Sequence, residues 1–117
     1  MNGIKYLLDT NIIIGVIKGN EQATSLVNGI KLYSCAFSVI TRMELLGFSG
    51  ITEHEERIFK VLLSKMERLS LNKDIEDATI KLRRQRRIKL PDAIIAATAI
   101  TYNLELLTLD KDLSSKL

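Results

Sequence analysis

Short, nearly unbroken apolar runs alternate along this chain with longer stretches whose apolar residues recur at helical spacing. Residues 4–8 (IKYLL) form the first run, which stops at Asp9-Thr10-Asn11, the pattern of a buried strand turning into a helix. Residues 32–37 (LYSCAF) predict a second strand. Ser38 then caps a helix reaching about residue 48, with Val39, Ile40, Met43 and Leu46 at helical spacing and Gly47 and Gly50 at its end. Thr52 followed three residues later by Glu55 is a capping box, and it opens a helix to about residue 66 carrying Ile58, Val61, Leu62 and Lys65. Residues 68–71 read as a short strand and 72–87 as a helix with Ile75, Ala78 and Leu82 on its inner face. Pro91, at a first helical position, begins PDAIIAATAITYN, which is apolar almost all round and predicts a buried, closely packed helix. Residues 104–109 give a last strand and residues 110–112 a turn. Strands alternating with helices predict an α/β fold, a central parallel sheet flanked by helices with right-handed connections.

The length of 117 residues fits one domain, 1–117, around one core. With 46% hydrophobic residues, one proline and no repeat, linker or low-complexity tract, the composition excludes a disordered chain. Asp9 interrupts the first apolar run, and no later run approaches the roughly 18 residues a membrane span needs, so a cytoplasmic protein with no membrane role is expected. Cys35 is the only cysteine, which rules out an internal disulfide and predicts a small buried side chain.

Four acids fall where packing alone does not call for them. Asp9 and Asp110 directly follow apolar strands, at the carboxyl ends where ligands bind in such sheets. Glu44 borders an apolar stripe, four residues after Ile40 and three before Gly47, and Asp92 lies in the first turn of the buried helix in a row with Ile95, Ala96 and Ala99. Each has an ordinary reading by itself: Asp9 and Asp92 as favourable charges at helix N-termini, Glu44 as a boundary residue, Asp110 as a turn aspartate. Together they suggest a carboxylate cluster whose mutual repulsion calls for cations. All-oxygen donors favour Mg²⁺ or Mn²⁺ over zinc, and the single histidine, His54, falls in an expected solvent-facing first turn. Such an ion leaves room for a water and a phosphate oxygen, which points to phosphodiester hydrolysis with one or two ions.

The stretches YLLDTNIII, SVITRMELLG, LPDAIIAATAI and LLTLDKDL, in this order, resemble the four acidic motifs of PIN-domain ribonucleases, in particular the VapC-like toxins of type II toxin–antitoxin pairs. LPDAIIAATA is the most specific of them. The resemblance implies a PIN-like fold over nearly the whole chain. It further implies that Asp9, Glu44, Asp92 and Asp110 hold Mg²⁺ or Mn²⁺ and prepare water for attack on RNA, with Asp112 second to Asp110 in the last motif. Thr108, Ser38 and Asn11 are implied to support those acids by hydrogen bonding, and a homodimer and a cognate antitoxin that blocks the site are implied as partners. Two departures stand out: Leu113 occupies a position where relatives often have Phe, and the chain stops at Leu117, where many relatives continue into a further short strand.

Net charge is +3 but uneven. Residues 81–89 (KLRRQRRIK) hold six basic residues and no acid, while elsewhere 14 acids outnumber 11 basic residues. Arg83, Arg84, Arg86 and Arg87 either contact RNA phosphates or form a solvated helix face, and the segment leads directly into Asp92. The apolar stretches 12–17 and 58–63 read as core or as partner surfaces. A non-catalytic RNA-binding module predicts a missing acid, and none is missing. A phosphoacceptor receiver needs a second acid beside the first and a lysine after a late strand, whereas Asp9 is followed by Thr10 and the last strand by Thr108-Leu109-Asp110. Toxin and RNA-processing nuclease both remain open.

Overall fold

A computed structural model describes residues 3–115. Four strands, β1 (Tyr6–Leu8), β2 (Cys35–Ser38), β3 (Glu67–Leu69) and β4 (Glu105–Leu107), form one parallel sheet in the order β3-β2-β1-β4. Tyr6 lies opposite Cys35 and Glu105, Leu7 opposite Ala36 and Leu106, and Leu8 opposite Leu107, while β3 pairs from Glu67 at Ala36 to Leu69 at Ser38. Around the sheet are α1 (Thr10–Ile17), α2 (Glu21–Val27), α3 (Val39–Leu46), α4 (Glu53–Ser64), α5 (Lys73–Gln85), α6 (Leu90–Thr101) and α7 (Lys111–Ser115).

Side chains alternate across a strand, so each two-sided strand needs apolar residues at consecutive positions. Leu8, Cys35, Phe37 and Leu107 pack on one face with Ile12 and Ile13 of α1, Leu45 of α3, and Phe59 and Leu63 of α4. Leu7, Ala36 and Leu69 point the other way, onto Ile95 and Ala99 of α6. Behind α6 lies α5, whose Ile75 and Leu82 pack with Ala96 and Ala97. The alanines are thus the price of placing α6 between a sheet and a helix: Ala93, Ala96 and Ala97 are fully buried. Full burial of an aliphatic chain such as Leu7 or Ile95 contributes about 1.5–3 kcal/mol.

The expected α/β architecture is present, with differences in detail: β3 ends at Leu69 rather than 71, β4 at Leu107 rather than 109, and α5 at Gln85, which leaves Arg86 and Arg87 off the helix. Residues 32–34 form a 3-10 turn rather than strand, so β2 begins at Cys35 and ends on Ser38. The inner face of α3 is Thr41 and Leu45, and Met43 is exposed; the inner face of α4 is Phe59 and Leu63, and Val61 is exposed. In both helices an apolar residue faces outward, which shifts a stripe read from hydropathy alone. Residues 111–115 form α7, where only a turn is expected. Finally, residues 21–27 form α2, whose apolar side is only Ala23, buried, and Val27, packed against the core; it is anchored by the Asn20 side chain, which accepts from the Ala23 N–H at 2.9 Å. Its crossing with α1 requires Gly15, because a Cβ there would sit 2.6 Å from the Ala23 Cβ. Leu113 is buried; the expectation about a further strand beyond Leu117 lies outside the described residues.

Candidate active site

Because all strands are parallel, their carboxyl ends share one edge, and the segments after β1 and β4 meet there. Asp9 caps α1 in an extended conformation and is only 5% exposed. Its Oδ1 accepts from the Thr10 N–H at 2.7 Å, and its Oδ2 accepts from the Thr108 hydroxyl at 2.7 Å. The direction of the second bond follows from a count of donors. Thr108 Oγ1 already accepts from the Asp110 N–H at 3.0 Å and from Asn11 Nδ2 at 3.4 Å, which leaves its single proton for Asp9. Asn11 Oδ1 in turn accepts from the Leu109 N–H at 3.1 Å and locks the α1 and β4 segments together. Both Asp9 oxygens are therefore acceptors, and the network holds the carboxylate form.

A second group forms on the α3 side. The Thr10 hydroxyl lies 2.6 Å from Glu44 Oε1 and 3.0 Å from the hydroxyl of Thr41, which is fully buried. Thr10 has one proton, which serves the closer carboxylate, so its oxygen accepts from Thr41. Neither Thr10 nor Thr41 was expected from the sequence as a supporting residue. Thr41 stands three residues before Glu44 and so shares its helix face, which is the signal that could have found it.

The acids feel one another. Burial pushes the Asp9 carboxyl above its ordinary value; the hydrogen bonds from Thr108 and Thr10 pull it down, and the charges of Asp92 and Glu44 push it up again. Asp92, half-buried in the first turn of α6, and Glu44, exposed on α3, are thus brought towards Asp9. Asp110 is exposed; its Oδ1 accepts from the Leu113 N–H at 3.1 Å and opens α7. Asp112 is exposed within α7. Ser38 is fully buried, and its Oγ accepts from the Ile40 N–H at 3.1 Å to cap α3. Asn11 reaches Asp9 only through Thr108. His54 is exposed on α4, and Cys35 is buried, with its thiol raised by burial.

Among the described residues, no three or more His, Cys, Asp or Glu side chains form a group that could hold a metal ion. The expected four-acid cluster is thus not a closed cage. An oxygen-only donor set with open positions still fits Mg²⁺ or Mn²⁺, because Mg²⁺ keeps several waters and takes one or two carboxylates, whereas zinc prefers nitrogen and sulfur.

The sequence pattern of the PIN domain matches residues 6–116. This chain belongs to the PIN-domain family. Solved structures of similar shape include a toxin–antitoxin complex from Klebsiella pneumoniae, with 35% identity, a TM-score of 0.81, and 94% of this PIN domain covered against 91% of that chain. VapBC-1 from nontypeable Haemophilus influenzae matches at 28% identity and a TM-score of 0.77, covering 97% and 92%. FitAcB from Neisseria gonorrhoeae shares the fold at 23% identity and a TM-score of 0.79, covering 95% and 91%. No curated protein sequence matches the chain. Among the described residues of this PIN domain, no helix is long and apolar enough to cross a membrane.

Proposed function

We propose that this PIN domain is a Mg²⁺- or Mn²⁺-dependent endoribonuclease and acts in the cytoplasm as the toxin of a toxin–antitoxin pair, as a homodimer held in check by its cognate antitoxin. The observation that carries the reading is Asp9: a buried carboxylate with both oxygens fixed as acceptors, faced by the charges of Asp92 and Glu44. An arrangement that gathers like charges around a buried group is unfavourable unless a cation shares it. The toxin role is supported by the likeness to the Klebsiella pneumoniae complex.

Among the described residues no three acids are already grouped for an ion, so the ion would draw Asp92 and Glu44 onto the fixed Asp9, with Asp110 at the rim. When bound, the ion supplies a polarised water and neutralises charge on the phosphate. The chain's own residues do the positioning. Thr108 and the Thr10 N–H keep Asp9 fixed with a lone pair of each oxygen left over, and Thr10, backed by Thr41, orients Glu44. Ionised carboxylates beside the scissile phosphate can also accept the proton of an attacking water.

The test is cleavage of single-stranded RNA by the purified protein with Mg²⁺ or Mn²⁺, beside Asp9→Asn and Asp92→Asn. Cleavage that stops in both variants and in chelator supports the reading; cleavage that survives them contradicts it.

A further inference from the structure

A second group of charges, all basic, lies where α5 ends and α6 begins, next to the helical turn that carries Asp92. The two helices run antiparallel: Asn72, the N-cap of α5, donates from Nδ2 to the hydroxyl of Tyr102, the C-cap of α6, at 3.1 Å. The far end of α5 therefore lies beside the first turn of α6. There a cleft of about 500 Å³ is lined by Arg83, Arg84, Arg86 and Arg87, with no carboxylate. Ile80 and Leu90 also line it, at 50% and 48% exposure. Arg83 donates from Nε to the Ile88 carbonyl at 3.4 Å and belongs to the wall itself. Arg84 and Arg86 have no side-chain hydrogen bond or ion pair with other described residues, and the nearby Asp77 is paired with Lys73 at 2.9 Å.

We propose that this cleft grips the phosphate backbone of the RNA substrate beside the bond being cut; the proposal rests on the ribonuclease reading above. A guanidinium is a planar fork suited to phosphate, and two of them without acid partners on one cleft are a site for a polyanion. Favourable interaction of cations with a helix C-terminus accounts for Arg83 and Arg84 in the last turn of α5, but Arg86 and Arg87 lie beyond that helix, Arg86 on extended backbone. Leu90 borders the cleft and Asp92 follows two residues later, so their Cα atoms are at most about 7.6 Å apart. A strand held in the cleft therefore lies against the same helical turn that carries Asp92. No aromatic side chain lines the cleft, so the contact is to backbone rather than to stacked bases.

Equilibrium binding of a single-stranded RNA in chelator, which stops metal-dependent cleavage, tests this across a range of KCl. For Arg84→Gln/Arg86→Gln the plot of log K against log salt should flatten by about 1.4, and for Arg86→Gln alone by about 0.7, one single-strand phosphate contact each. Lys5→Gln/Lys31→Gln removes the same charge at the amino ends of β1 and β2 and should keep the parent slope. An unchanged slope in folded arginine variants, or equal flattening in the lysine control, overturns the cleft while leaving the ribonuclease reading standing. Absence of RNA binding by the parent protein contradicts both.

Discussion

The two sides of the acidic site are built differently. On the β1–β4 side, Asp9 is buried and accepts two hydrogen bonds of 2.7 Å, and its partner Thr108 is itself held by two N–H donors. On the α3 and α7 side, Glu44 and Asp110 are exposed, and among the described residues one hydrogen bond holds each carboxylate. A buried carboxylate needs its acceptors filled or the fold loses stability, so the first side is fixed by folding itself. An exposed carboxylate has water as an alternative, so the second, open side is freer to move. On the proposed function the first side would anchor the cation and the second would adjust to cation and RNA.

That contrast ranks the expected effects. Asp9→Asn removes the anchoring charge and leaves an amide where Thr108 offers a proton; RNA cleavage should fall at least about 100-fold, the scale on which loss of one preorganised electrostatic contact is felt. Thr108→Val keeps the charge but strips its support, and should lower metal affinity or cleavage about 10- to 100-fold, as for other groups that orient a metal ligand. Thr10→Val makes the matching change on the open side and should cost less than about tenfold. An equal loss from Thr10→Val and Thr108→Val, measured as kcat/KM, would remove the distinction between the two sides. Asp110→Asn preserves a good helix cap, whereas Asp110→Ala loses it; thermal unfolding should be unchanged in the first and lowered by about 0.5–2 kcal/mol in the second.

The same contrast governs what could be read in the sequence. Asp9 was legible because packing alone seldom puts a charge at the end of an apolar strand, and the capping box at Thr52 was legible because its two partners are three residues apart. Thr10 and Thr41 were not, because their contact joins residues 31 apart in the chain. The inner faces of α3 and α4 were read in part: Ile40, Leu46 and Leu62 do pack against the core, but hydropathy cannot tell an exposed Met43 or Val61 from a buried Thr41 or Phe59. The helix at Glu21–Val27 escaped because it is only about two turns long, with Ala23 and Val27 alone on its inner side. Asp110 follows β4 at three residues' distance, not directly, and its role in opening α7 depends on a contact with Leu113 that a turn signal hides.

The smallest effect lies at the far capping box. Thr52→Ala should lower stability by about 1 kcal/mol and leave cleavage unchanged. The backbone N–H and hydroxyl of Thr52 hold Glu55 below its ordinary carboxylate range. That contribution is present above the ordinary value and is lost as pH falls through the lowered one. The stability gap between the parent and Thr52→Ala should therefore narrow on acidification in that window, as chemical denaturation at a series of pH values would show.

The most direct measurement is Mn²⁺ binding by electron paramagnetic resonance, made on the parent protein, Asp9→Asn and Thr52→Ala. A site that weakens at least tenfold in Asp9→Asn and is untouched in Thr52→Ala is the expected result. Equal Mn²⁺ affinity in all three proteins would contradict the assignment of the buried Asp9 as the anchor of the metal.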